Sequence, residues 1–143
     1  FHFHKPGEHT IDGQGFAMEL HLVHSHPATG NLAAVAVMIE AGDATNAAYR
    51  PVFDNLPTAV GAPDEKPAQM FNAADLLPED TSAYFTYEGS LTFPPCSENV
   101  RWLVLATPVR LSAAQIAAFG AIYDGNVRPL QPLNHRDLFT NRG

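Results

Sequence analysis

The chain has one cysteine, Cys96, so no disulfide can close within its 143 residues, and any zinc site that needs two or more thiolates is excluded. Cys96 reads equally as a buried free thiol or as a residue whose partner lies in an upstream part. Basic residues are also scarce. Eight Lys and Arg stand against fifteen Asp and Glu, a net charge of -7, which excludes a nucleic-acid partner because binding phosphate needs a basic surface. No apolar run approaches the roughly 20 residues that span a bilayer. The longest, Leu32 to Ile39, suits a buried strand with both faces covered. There is no internal repeat and no low-complexity segment. What is present, 45% hydrophobic residues and nine Phe, is the composition of one globular domain with a real core. The chain starts at Phe1, inside what reads as a strand, so a further upstream part is expected.

Seven histidines are present, and three of them have a pattern. In a strand, side chains two apart share a face, so in Phe1-His2-Phe3-His4 the two imidazoles project together and the phenylalanines project the other way. Asp12-Gly13-Gln14-Gly15 follows, with glycines able to take positive φ and double the chain back as a hairpin. The return strand, Phe16 to His24, brings His21 alongside. Three neutral imidazoles leave one position of a zinc tetrahedron open, the catalytic arrangement. Glu19, two before His21, shares its face and is placed to accept the imidazole's other N–H, fixing its tautomer. His24 faces away from His21, and with His9, His26 and His135 is read as structural or exposed.

Downstream, Ser25 to Asn31 is a turn, Leu32 to Ile39 a strand, and Asn46 to Leu56 a short helix with Pro51 in its first turn. Pro57 to Gln69 is an irregular surface segment. Phe71 to Pro78 reads as one helical turn, Ala83 to Thr86 as a strand leading into Tyr87 to Thr92, and Val100 to Thr107 as a strand. Ser112-Ala113-Ala114-Gln115 has the form of a capping box opening a helix to about Tyr123. The tail from Pro129 to Gly143 is extended, with Phe139 expected to dock it.

Two families compete for this pattern. His2-x-His4-x-x-x-Glu8 with Gly15 resembles the first motif of cupins, but no second cupin motif surrounds His21, His24, His26 or His135. The α-class carbonic anhydrase family accounts for the whole chain. Phe1 to His4, Glu8-His9-Thr10, Glu19 to His24, Tyr87-x-Gly89-Ser90-Leu91-Thr92-x-Pro94-Pro95, Val100-x-Trp102 and Asn126-x-Arg128-Pro129-x-Gln131-Pro132 stand in that family's order and approximate spacing. The sequence closely resembles it.

The resemblance implies a mostly β (α+β) fold, a large twisted and mainly antiparallel sheet with a few short peripheral helices, of which residues 1–143 form the C-terminal portion as one domain. It implies Zn2+ on His2, His4 and His21, hydroxide made from water at that metal, and attack on carbon dioxide to give bicarbonate. Thr92 matches the threonine that accepts from the hydroxide and donates to a buried glutamate, here Glu8. Val23, Ala34, Leu91, Val100 and Trp102 match the apolar wall that receives carbon dioxide. Asn126 matches the residue whose backbone carbonyl orients His4, and Arg128 a structural ion-pair member. Phe93 stands where many relatives have a second threonine, Ala34 where valine is common, and Lys5 where some relatives have an aromatic. Partners implied are carbon dioxide and bicarbonate, with anions and sulfonamide-type inhibitors as ligands, no membrane, and a homodimer as one assembly open to the chain. In bacterial and secreted relatives the cysteine of a run like Pro94 to Glu98 pairs with an upstream cysteine, which implies a periplasmic or extracellular origin. A non-catalytic domain of the same fold is the alternative reading.

Overall fold

The apolar run beginning at Leu32 forms the middle of a seven-stranded sheet in a computed structural model that describes residues 1–61 and 70–141. In chain order the elements are β1 (His2–His4), β2 (Met18–Ser25), β3 (Leu32–Gly42), α1 (Arg50–Phe53), β4 (Tyr84–Ser90), β5 (Glu98–Leu105), β6 (Val109–Ser112), α2 (Ala113–Gly120) and β7 (Phe139–Thr140), with 3-10 turns at Ala47–Tyr49 and Ala73–Leu76. The sheet order is β1-β2-β3-β5-β4-β7, and β6 continues beside β3. Most pairs are antiparallel, but β3 pairs with both β5 and β6 in parallel. That is why β3 is apolar without alternation: it is hydrogen-bonded on both edges and covered on both faces.

Alternate residues of β3 feed two cores. Val37 and Ile39 join Phe3, Leu20, Leu22, Tyr49, Phe53, Leu111 and Phe119 in the larger one, under the helices. Ala34, Ala36 and Met38 face the other way and pack with Val100, Trp102 and Val104. Because Leu20 pairs with Val37 and His21 with Ala36, the histidine takes the second face while its neighbours anchor the first. Fully burying a Leu or Phe stabilises by roughly 1.5–3 kcal/mol, so the first face holds the strands and frees the second for polar groups.

The turn before β2 works differently from the glycine pattern expected. Asp12 (φ 52°) and Gly13 (φ 78°) take the positive φ values, with Ile11 and Gln14 hydrogen-bonded across them, and Gly15 does not. Two consecutive positive φ values are the two-residue hairpin turn that matches strand twist. The helix expected from Asn46 is shorter than its apolar spacing suggests: Asn46 caps the 3-10 turn by accepting from Ala48 N–H, and Pro51 sits in the first turn of the single α-helical turn that follows. In α2, Ser112 and Gln115 make both bonds of a capping box. The helix stops at Gly120 rather than Tyr123, where the Ile122 amide tightens onto the carbonyl three residues back, that of Phe119.

The C-terminal tail does dock, but through strand pairing and the Thr140 and Asn141 side chains rather than through Phe139. β7 pairs with β4 at Phe85–Thr140 and Thr86–Phe139, leaving the Phe139 side chain 61% exposed. The irregular segment expected from Pro57 to Gln69 lies mostly outside the described residues.

Candidate metal centre

The antiparallel register of β1 and β2 sets His2 opposite His21 and His4 opposite Glu19. All four side chains share the second face of the sheet. The imidazole centroids lie 4.9 Å (His2–His4), 5.1 Å (His2–His21) and 4.6 Å (His4–His21) apart. One nitrogen from each ring falls within 4.8 Å of the others, a spread that a single ion can span. His2 Nε2 and His4 Nε2 are buried with no hydrogen-bond partner among the described residues. Buried polar atoms are ordinarily paired, and two orphaned imidazole nitrogens aimed at one point are what a cation would satisfy. The residues fit zinc: three imidazoles, with room for a fourth ligand.

The remaining nitrogens of His4 and His21 are held by acceptors. His4 Nδ1 donates to the Asn126 carbonyl at 2.6 Å, leaving Nε2 for metal. His21 Nε2 donates to Glu19 Oε1 at 2.6 Å, leaving Nδ1. Glu19 is fully buried; its Oε1 also accepts from His9 Nδ1, and its Oε2 accepts from the Glu8 and His9 amides at 2.8 and 2.7 Å. Burial alone pushes this carboxyl up, but the hydrogen bonds from His21 and His9 outweigh it and hold it well below the usual carboxylate range. Burial lowers His21 from its ordinary value despite Glu19, and burial, then the nearby His21 and His4, lower His2 to about 4. An ionised Glu19 facing neutral imidazoles is the protonation pattern that ligands need, since only a neutral imidazole has a lone pair for metal.

His9, read from sequence as structural or exposed, is the third member of this network. Its Nε2 accepts from the Tyr87 hydroxyl at 2.7 Å, and burial pushes the Tyr87 phenol up, keeping it a donor. The same three residues, His9, Glu19 and His21, offer a second group of ligand-type atoms, but these already hydrogen-bond one another. Periodicity carried no signal for His9 because residues between β1 and β2 follow no strand alternation. The only available hint was that a buried carboxylate needs several donors.

Glu8 and Thr92 both border a cleft of about 490 Å³ that His9 also lines and His2, His4 and His21 do not. Glu8 Oε1 accepts the Arg128 amide at 2.7 Å, while Oε2 is buried and without a hydrogen bond, 3.4 Å from His4 Nε2. The bond expected between Thr92 and Glu8 is not made. Arg128 meets Glu8 through its backbone and Ser90 Oγ through its guanidinium at 3.0 Å, with no ion pair among the described residues, so it is not the ion-pair member expected.

Val23, Ala34, Leu91, Thr92, Phe93 and Trp102 line a small apolar cleft against His2 and His21. Trp102 meets His21 edge-on at 4.7 Å, and Phe93, 48% exposed, meets His2 edge-on at 6.2 Å. Val100 is fully buried in the second core and does not line this cleft, being covered by the residues around Trp102.

The family model for eukaryotic-type carbonic anhydrase matches residues 1–142. The chain belongs to this family. A carbonic anhydrase of Nostoc sp. is 45% identical over 95% of the chain and 50% of its own length, and one of Klebsiella pneumoniae is 45% identical over 95% and 54%. Among solved structures, an α-carbonic anhydrase of Thermovibrio ammonificans in complex with sulfanilamide superposes with a TM-score of 0.87 at 39% identity, over 96% of this chain and 59% of that one. The mostly β fold is therefore the carbonic anhydrase fold. The chain spans about half the length of the curated relatives it matches.

Proposed function

We propose that this chain catalyses the reversible hydration of carbon dioxide to bicarbonate at a zinc ion held by His2 Nε2, His4 Nε2 and His21 Nδ1. The observation that carries the reading is the pair of buried, unpartnered nitrogens on His2 and His4 facing His21. Zinc, when bound, supplies a Lewis acid that acidifies water, an effect for which carbonic anhydrases are themselves the type example. Glu19 and the Asn126 carbonyl select which nitrogen of His21 and His4 is free to ligate.

Thr92 and Glu8 orient the reacting oxygen. A carboxylate only accepts, so a Thr92 hydroxyl turned to the free Glu8 Oε2, a bond not made in this structure, would donate there and keep a lone pair for the substrate oxygen. Carbon dioxide is uncharged and needs apolar contact rather than a salt bridge, which Val23, Ala34, Leu91 and Trp102 provide next to His2 and His21. Phe93 narrows this wall at its open side. Sulfonamides enter the same cleft, as the sulfanilamide complex of the Thermovibrio relative suggests.

Stopped-flow hydration of carbon dioxide by zinc-loaded chain tests the proposal. Turnover that His21→Ala abolishes is expected; no turnover, or turnover indifferent to that substitution, overturns it. The unmade Thr92–Glu8 bond favours one other reading, a zinc-binding domain of this fold without activity. Zinc at one per chain with no hydration would establish that reading instead.

A further inference from the structure

Among the described residues β1 is the end strand of the sheet, and its outer side is partly covered. Residues 124–126 cover it. The Asn126 side chain acts as one rung of a missing strand: its Nδ2 donates to the Phe3 carbonyl at 2.9 Å and its Oδ1 accepts from the Lys5 amide at 2.9 Å. The Gly125 amide, at φ 73°, donates to the Lys5 carbonyl at 2.9 Å. These three bonds flank His4, whose Nδ1 meets the Asn126 carbonyl at 2.6 Å. The carbonyl that selects the His4 tautomer is thus held to the strand carrying His4 by the side chain of its own residue.

The Lys5 side chain locks the arrangement from outside. Its Nζ pairs with Asp124 Oδ1 at 2.9 Å, and its stem runs over Gly120, where an added Cβ would fall 2.8 Å from Nζ and 2.9 Å from Cε. A side chain there would make the flexible end of the lysine shift to reach Asp124. The ion pair is partly exposed, 25% for Lys5 and 73% for Asp124, so its contribution is small and salt-dependent beside that of Asn126.

The geometry points to the Asn126 side chain, assisted by the Lys5–Asp124 pair, as a clamp that positions His4 for the metal and so sets how tightly zinc is held. Asn126, Lys5 and Asp124 are positioning residues that act through His4. This inference rests on the zinc reading above. Groups that orient a ligating histidine are worth about 10–100-fold in metal affinity, which sets the scale for Asn126.

Charge and clamp predict opposite signs, which makes the test sharp. Asn126→Asp is isosteric but sets a carboxylate oxygen against the Phe3 carbonyl, and Lys5→Met removes the ion pair while keeping most of the stem. Both substitutions make the neighbourhood of a dication more negative, so electrostatics alone would tighten zinc. The clamp requires both to weaken it: on the order of tenfold for Asn126→Asp, and a few-fold for Lys5→Met, with wild-type affinity falling toward the Lys5→Met value as salt is raised. Zinc affinity is read by chelator competition on the full chain, and the His4 tautomer by 1H–15N correlation spectra of the metal-free protein. Wild type and Lys5→Met are expected to differ in the fraction of His4 protonated at Nδ1. Unchanged or tighter zinc in both variants, with an unchanged His4 tautomer, overturns the clamp and leaves the zinc site standing. A wild-type chain that takes up no zinc overturns both.

Discussion

Glu19→Gln changes one atom in the centre of the site, and the structure dictates where that atom goes. Oε2 accepts two backbone amides, from Glu8 and His9, at 2.8 and 2.7 Å. Turning a glutamine NH2 toward them would leave buried donors facing donors, roughly 1–3 kcal/mol for each unsatisfied group. The glutamine oxygen therefore occupies the Oε2 position, and its NH2 faces His9 Nδ1 and His21 Nε2. Both imidazoles now meet a donor. His21 must accept at Nε2, which moves its proton to Nδ1, the nitrogen left for metal. Zinc binding then has to restore the disfavoured tautomer against a mismatched hydrogen bond. The expected loss of zinc affinity is about 10–100-fold, or roughly 1.4–2.8 kcal/mol. Chelator competition at pH 8 measures it, and 1H–15N spectra show whether the His21 proton has moved from Nε2 to Nδ1. A glutamine variant that binds zinc like wild type, with His21 still protonated at Nε2, refutes the reasoning that Glu19 acts by selecting a tautomer.

Other expectations address packing, pocket shape and pH. Gly89→Ala places a Cβ 2.7 Å from Tyr87 Cε2 and 2.9 Å from Trp102 Cδ1, two rings stacked at 9°; neither can yield easily, so thermal unfolding should show a loss of about 1–3 kcal/mol. An unchanged melting temperature would mean the rings part freely. Phe93→Thr removes the ring packed on His2 and opens the apolar cleft, so sulfanilamide should bind more tightly, by about tenfold; weaker or equal binding by calorimetry contradicts the steric role. Metal-free chain should lose stability on acidification. His2 sits at about 4 in the fold against 6.5 ordinarily, so below 6.5 the unfolded chain takes up a proton that the fold refuses, and stability declines until about 4. Glu19, held below the usual carboxylate range, adds a loss in the same direction as pH drops under its ordinary 4.5. A urea midpoint that stays flat from pH 8 to 4 would contradict the His2 shift, and one that stays flat on further acidification the Glu19 shift.

Much of the site follows from periods of two. His2 and His4 on one strand, and Glu19 and His21 on the next, share a face by alternation alone, and a register with His2 opposite His21 merges the two pairs. The capping box of α2 was equally legible, because Ser112 and Gln115 meet through local geometry. Less local features were not. Lys5 crosses the end of the helix at Gly120, an approach between residues more than a hundred positions apart. Phe139 looked like an anchor by hydrophobicity, whereas β7 is held by backbone pairing and by the Thr140 and Asn141 side chains, which bond the Tyr84 and Ser82 main chain.

By itself the sequence determined the donor set, the shared face of the candidate ligands, the apolar central strand and the absence of thiolate alternatives, since each depends on residue type and short-range spacing. Only the tertiary structure decided which nitrogen of His4 and of His21 is left free. That choice depends on where the Asn126 carbonyl, the Glu19 carboxylate and the His9–Tyr87 pair come to rest. Their positions are fixed by hydrogen bonds between segments up to 123 residues apart, a distance over which no periodicity in the chain carries information.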